Sequence, residues 1–346
     1  MNNIAKEYKL QIITMNNYKH PINYIAVLLI FFFGTALTGQ ARYFNERYVS
    51  TQSFVNPVII NPGAVGSSEY HRVIGNYRNN WSSFPGAPKT FILGYDGDVG
   101  NNIGIGLQLV SDSNGELRTT KGQGSVSYTI DSEINKIGFG LAGEYVKHGV
   151  NTDINLINNP LYDDPDDVVN GRDGGVSYFD VSFGVFGQYD NMINYGLILP
   201  GLLNSRLDDG VDNFDNEFSY IFHVGYIWDV AGYDLTVEPS IFMKQLGYVP
   251  FHVDVNAQAS FLDDRFMGGL SYTIGADEKV GFLIGTRVNS VNFYYTYNIS
   301  RNDFQTYNNG GHELSVRVDL GRSDKKQMTD DDILNEVMEE SETIQN

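Results

Sequence analysis

From residue 69 to residue 320 the chain alternates apolar and polar positions with a period of two. Ile103, Ile105, Leu107 and Leu109 interleave with Gly104, Gly106 and Gln108, and an extended backbone sends the two sets to opposite faces. The same rhythm sets Ile137, Phe139, Leu141 and Tyr145 against Gly138, Gly140, Ala142 and Glu144, and Phe179, Val181, Phe183 and Val185 against Asp180, Ser182 and Gly184. Counted along the chain, it predicts about fourteen strands, most close to the ~9–11 residues of a tilted membrane-crossing strand. The links between them sort by parity. Residues 97–101, 131–133, 190–191, 229–232, 263–265 and 289–290 are tight, whereas 79–88, 111–120, 149–175, 200–217, 246–251 and 301–311 are longer and polar, with 275–278 a short exception. Outer-membrane barrels have this asymmetry, with short periplasmic turns and long external loops. The expectation is therefore an all-β, antiparallel transmembrane β-barrel. The alternative, an exported β-sandwich, would leave the inward Gly, Ser, Thr, Gln, Asp, Glu and His unsatisfied in a dry core.

The ends of the chain differ from the middle. Lys6, Lys9 and Lys19 precede an apolar run over residues 22–33 that ends in Gly34, Thr35 and Ala36, the order of a secretory signal, with cleavage expected near Gly39 or Ala41. That run is shorter than the ~20 residues of a spanning helix. The expected plan is a signal over 1–39, a periplasmic, plug-like segment over 40–68, the barrel over 69–320 and an acidic periplasmic tail over 321–346. In the tail, Ile333, Leu334, Val337 and Met338 fall at helical spacing, with Thr329 placed to cap, as a short partner-binding helix or a disordered acidic tail would have them.

Composition narrows the function. The 346 residues contain no Cys, which removes disulfides, thiolate metal sites and a cysteine nucleophile. Lys+Arg 23 against Asp+Glu 42 gives a formal charge of -19, the wrong sign for holding a phosphate backbone, so no nucleic-acid partner is expected. His148, His223, His252 and His312 are scattered without a paired-ligand motif, and the acidic runs at 162–167 and 208–215 miss the calcium-loop spacing, so no metal or cofactor is expected. No nucleophile elbow or phosphate loop stands in a strand-to-helix setting, and no enzyme activity is expected.

Three separated stretches carry a resemblance. Asn56-Pro57-Val58-Ile59-Ile60-Asn61-Pro62-Gly63-Ala64-Val65-Gly66, then Tyr77-Arg78-Asn79-Asn80-Trp81 with Phe84-Pro85-Gly86-Ala87-Pro88, and finally Gly310-Gly311-His312-Glu313-Leu314-Ser315 occur in the order of the PorP/SprF family, which the chain resembles over roughly residues 40–320. The resemblance implies an outer-membrane component or cargo-specific accessory of the type IX secretion system of Bacteroidetes, supporting secretion or surface attachment of a large adhesin of the gliding-motility type. Its implied partners are other secretion and gliding components in the outer membrane and periplasm, the adhesin cargo and the lipid bilayer. A porin or small-solute transporter is the alternative that the polar inner face allows. Candidate partner-binding residues are Asn56, Pro57, Asn61, Pro62, Arg78, Trp81, Gly86, Pro88, His312 and Glu313, together with Ile333, Leu334, Val337 and Met338.

The segment 52–66 poses its own question. Two Asn-Pro steps bracket Val58-Ile59-Ile60, which argues against a long helix and leaves an apolar stretch in need of cover. One reading folds it into or against the periplasmic mouth, filling a lumen whose walls are thinned by inward Gly104, Gly106, Gly138, Gly140 and Gly184; the other leaves it a flexible leader.

Overall fold

Alternation and tight Asn/Asp turns dictate a meander, and the chain closes it on itself. A computed structural model describes residues 49–115, 117–150, 176–203, 219–246, 249–275, 278–301 and 309–321. The strands are β1 (His71–Asn79), β2 (Lys89–Asp98), β3 (Ile103–Asn114), β4 (Leu117–Asp131), β5 (Asn135–Val150), β6 (Val176–Tyr189), β7 (Ile193–Leu199), β8 (Tyr220–Tyr226), β9 (Trp228–Asp229), β10 (Leu235–Leu246), β11 (Val249–Phe261), β12 (Phe266–Ile274), β13 (Lys279–Val288), β14 (Val291–Ser300) and β15 (Gly311–Leu320). Each pairs antiparallel with its neighbour, β9 continues β8 beyond Ile227, and β1 pairs with β15 from His71↔Leu320 to Asn79↔His312. The result is a closed 14-stranded antiparallel barrel. Closure removes the free sheet edges that would otherwise present unpaired backbone groups to lipid.

The two ends of the barrel differ as the link lengths require. At one end, which we call the turn end, short links use residues that tolerate a left-handed backbone: Asn101 and Asn102, Asp190 and Asn191, Asp263 and Asp264, and Asn289 all have φ between 50° and 64°. The other, the loop end, carries the links 80–88, 151–175 and 301–310. Two links expected to be loops are mostly strand. β3 and β4 stay paired out to Asn114↔Leu117, and β10 and β11 continue to Leu246↔Val249 through a bulge. Above the apolar band both faces of such a hairpin are polar, as in Ser111, Asp112, Thr119 and Thr120, so alternation fades while backbone pairing continues.

The outward face is apolar. Leu107, Leu109, Val126, Leu141, Leu270 and Ile284 are among the exposed side chains, Leu107 at 65%. Their solvent is hydrocarbon, because burial of alternate positions has put every polar partner on the other face. Among the described residues no helix is long and apolar enough to cross a membrane; strands make the crossing. Leu107→Arg should therefore lower the folding stability of the barrel in bilayers by about 2–4 kcal/mol, the cost of a charge on the lipid face near the midplane. Urea unfolding in lipid vesicles measures it.

The signal stretch, most of the acidic loops at 149–175 and 200–217, and the tail with Ile333, Leu334, Val337 and Met338 lie outside the described residues.

Candidate functional site

The inner face holds the stretch that leads into β1. Residues 49–66 run along the lumen, and their local shape follows from the two Asn-Pro steps. Pro57 and Pro62 each open a short 3-10 turn, Pro57–Ile59 and Pro62–Ala64, where the missing N–H of proline leaves no unpaired donor. Asn61 is extended, as a residue before proline prefers, and its side-chain oxygen accepts from the Gly63 N–H at 2.9 Å.

At the loop end the wall grips the segment through β1, β14 and β15. The Arg78 guanidinium donates to the Val49 carbonyl at 2.8 Å. Glu313, wholly buried, accepts from the Ser50 and Thr51 hydroxyls, from the Thr51 N–H at 3.1 Å and from the Asn76 amide at 2.7 Å. Gln52, also wholly buried, donates to the Thr296 hydroxyl at 3.0 Å and accepts from Ser315 at 2.5 Å. Arg317, paired with Asp319 at 3.0 Å, donates to the Asn56 side chain at 2.9 Å. Glu313, Gln52, Asn76 and Arg78 are buried, and their contacts matter because an unmet buried partner is costly.

Midway, packing takes over. Ile59 joins Ile74, Ile92 and Val110 in one apolar cluster, and Val49 joins Ile198, Ile221, Phe242 and Leu246 in another, with Ile60 against both. Gln108 donates to the Ile59 carbonyl at 2.9 Å, and Asn61 donates to the Val185 carbonyl on β6 at 2.9 Å. Glycine is what lets the backbones meet. A Cβ on Gly140 would lie 2.1 Å from the Pro62 carbonyl oxygen, and one on Gly104 2.3 Å from that of Val65. Gly106, Gly138 and Gly184 likewise touch Val65, Gly63 and Asn61.

The turn end completes the path. Ser127 donates to the Val65 carbonyl at 2.5 Å, the Gly66 N–H donates to Asp96 at 3.1 Å, and Arg72 bridges Asp96 at 2.6 Å. Lys136 reaches the Ser67 carbonyl at 3.3 Å. The segment thus fills the lumen from the level of Arg78 to that of Ser127, as the lumen-filling reading of the sequence expects.

The residues singled out from sequence separate into two groups. Asn56, Pro57, Asn61 and Pro62 lie in the segment, while Arg78 and Glu313 hold it from the wall. The second group is at the loop-end rim. Trp81, half-buried with φ 55°, begins the 80–88 link; Pro88 accepts from the Asn80 N–H at 2.9 Å and Gly86 from the Gly115 N–H at 2.8 Å. His312 faces away from Glu313 and meets the Tyr295 hydroxyl at 2.7 Å. Ser50, Thr51, Gln52, Asn76, Arg72, Asp96 and Arg317 were not singled out, although the signal existed: Arg72, Asn76 and Arg78 on β1 and Glu313, Ser315, Arg317 and Asp319 on β15 make an inward row unusually rich in charge. His223 stacks on Phe242 at 4.9 Å, and His148 meets Thr119 at 2.9 Å. Among the described residues no group of three or more His, Asp or Glu is placed to hold a metal.

Residues 51–56, which lead into the Asn-Pro stretch, and residues 313–317, where the Gly-Gly-His-Glu-Leu-Ser stretch runs into β15, form the two sides of one interface although some 250 residues separate them in sequence. A profile of the PorP/SprF family, described as type IX secretion system membrane proteins, matches residues 44–318. The chain belongs to the PorP/SprF family. This PorP/SprF protein is accordingly an outer-membrane barrel associated with the components of the type IX secretion system. Its backbone also overlaps solved barrels: the outer membrane protein Omp33 of Acinetobacter baumannii (6% identity, TM-score 0.43, 72% of this chain and 97% of that one), a FadL homologue of Pseudomonas aeruginosa (10%, 0.44, 75% and 92%) and a mutant of the TodX monoaromatic hydrocarbon channel (10%, 0.45, 78% and 94%). At such distances these likenesses say nothing of function. No curated protein matches the chain.

Proposed function

We propose that this PorP/SprF protein is a non-catalytic accessory barrel of the type IX secretion system, serving the export or surface attachment of a large adhesin of the gliding type, and that it is not a channel for small solutes. The observation that carries this is the occupant of the lumen. A diffusion pore needs a water-filled path, and here polar wall groups that could line one, such as Gln108, Ser127 and Glu313, are bonded to the chain's own residues 50–65. The same arrangement supports a non-enzymatic reading, because these buried polar groups are engaged in holding a peptide.

Two measurements test the proposal together. Purified full-length protein in planar bilayers should show no stable porin-scale conductance. Deleting the gene should strip one large adhesin from the cell surface while leaving small-solute uptake unchanged. Steady ohmic conductance with an undisturbed surface would transfer the protein to the solute-transporter class.

A further inference from the structure

The outward face of the barrel is almost free of charge, and the exceptions lie together. Along the strands outward positions alternate with lumen-facing ones, and cross-strand pairing fixes which side chains share the lipid-facing surface. Among the outward strand positions of the described residues, a Lys, Arg, Asp or Glu occurs only at Lys89, Arg118 and Lys147. All three are basic, although acidic residues outnumber basic ones 42 to 23 in the chain. All three are exposed, and they stand at the loop end of β2, β4 and β5. Lys89 pairs with Ser113, Ser113 with Arg118 and Arg118 with Gly149, one row across four strands; Lys147 is two residues from Gly149 and opposite Thr120. With strands about 4.8 Å apart, Lys89 and Arg118 start about 10 Å from each other, and the diagonal from Arg118 to Lys147 is about 7–8 Å. Three long side chains at such spacings can converge on one group.

Their level is set by the apolar band beneath them. On β2 the next outward residue below Lys89 is Phe91, and on β5 the one below Lys147 is Tyr145, whose ring meets Phe179 of β6 at 5.1 Å. Aromatic side chains at the top of the band mark the junction of hydrocarbon and headgroups, so the basic row is at the height of headgroup phosphates. The outward Ser111, Ser113 and Thr120 add hydroxyl donors, and among the described residues none of the three bases is in an ion pair. Directly below, Gly122 and Gly124 continue the outward face of β4 and Gly143 that of β5; a Cβ on Gly143 would meet nothing within 4 Å, and those on Gly122 and Gly124 would meet only the tips of Leu109 and Leu107. The glycines leave a shallow apolar trough between these leucines and Tyr145. We propose that this face of β2–β5 is a binding site for a phosphorylated lipid: Arg118 is placed for two-pronged contact with a phosphate, Lys89 and Lys147 flank it as point charges, and an acyl chain lies in the trough. Long loops face outside, so the lipid belongs to the outer leaflet. The site concerns the membrane contacts of the barrel and does not depend on the secretion role.

Native mass spectrometry of the full-length protein in neutral detergent tests the site, with bisphosphorylated lipid A as the probe and phosphatidylcholine as the reference. The wild type should retain lipid A in preference to phosphatidylcholine, and higher ionic strength should weaken that retention. Lys89→Gln, Arg118→Gln and Lys147→Gln should each weaken it by about five-fold, and the three combined should weaken it by about 100-fold and remove the preference. All three side chains are exposed, so heat-dependent gel mobility should still report a folded barrel; if the combined variant is not folded, the single variants give the reading. Arg301→Gln, at the loop end just past β14 and outside the row, should bind lipid A as the wild type does. Unchanged retention in the folded single variants, or an equal loss in Arg301→Gln, overturns the inference. Displacement of lipid A by an equimolar amount of inorganic pyrophosphate also overturns it, because the site would then take a soluble anion and make no use of the trough.

Discussion

Gly140→Val is expected to be the most damaging single substitution in the wall. The added Cβ would sit 2.1 Å from the Pro62 carbonyl oxygen and 2.2 Å from its carbonyl carbon, and both are backbone atoms with no rotamer to swing aside. Either β5 shifts or the segment leaves its seat. Forcing extra methyl groups into a packed interior typically costs about 1–3 kcal/mol, and the upper part of that range applies where the obstacle is main chain. Gly143→Val supplies the control, since a Cβ there on the same strand meets nothing within 4 Å. Heat-dependent gel mobility of the folded barrel should drop for Gly140→Val and stay near wild type for Gly143→Val. Limited proteolysis should cut within residues 49–66 only in the former. If both variants melt alike and resist protease alike, the close approach of segment and wall is not what holds the lumen closed.

The second large effect is expected at Glu313. Its carboxylate receives the Ser50 and Thr51 hydroxyls, the Thr51 N–H and the Asn76 amide with no exposure to solvent. Glu313→Ala removes every acceptor at once and leaves those donors buried, at about 1–3 kcal/mol for each one left unmet. A total of about 3–5 kcal/mol is reasonable, because hydroxyls reorient where an N–H cannot. Glu313→Gln is the informative companion. One of its two terminal atoms becomes an N–H₂ donor, and whichever way it turns, that donor faces either the Thr51 N–H or the Asn76 amide. The Gln variant should therefore lose about half as much stability as Ala in urea titrations read by gel mobility or intrinsic fluorescence. Equal stability of Gln and wild type would mean that the carboxylate does not accept from both the Thr51 N–H and the Asn76 amide.

Much of this architecture was legible from residue order. Strand count and the outward apolar face follow from period two, because a closed barrel in lipid imposes alternation on every strand. Inward glycines signalled a close approach, and Gly104, Gly106, Gly138, Gly140 and Gly184 are all in contact with residues 61–65. What could not be read was the partner across each gap. Glycine at a wall position reports that something comes near, without identifying it, and Glu313 stands between His312 and Leu314 in the ordinary alternation of a strand, as any lumen carboxylate would. The contacts of Glu313 with Ser50 and Thr51 join residues more than 260 positions apart, and no local pattern encodes such a pairing. The extension of β3 and β4 past the membrane was hidden for a different reason: Ser111 and Asp112 are both polar though they point to opposite faces.

The closure of β1 on β15 has a temporal consequence. β15 is the last of the described strands to be synthesised, and the same strand supplies Glu313, Ser315 and Arg317 to residues that precede the first. The exported chain therefore carries residues 50–56 unclamped until β15 is in place, and one event then joins the ends of the sheet and fastens that stretch. A chain cut short before β15 would lack the seam and the fastening together. Closure of the barrel is thereby coupled to the presence of β15, which separates chains that carry this strand from chains that lack it at a single step.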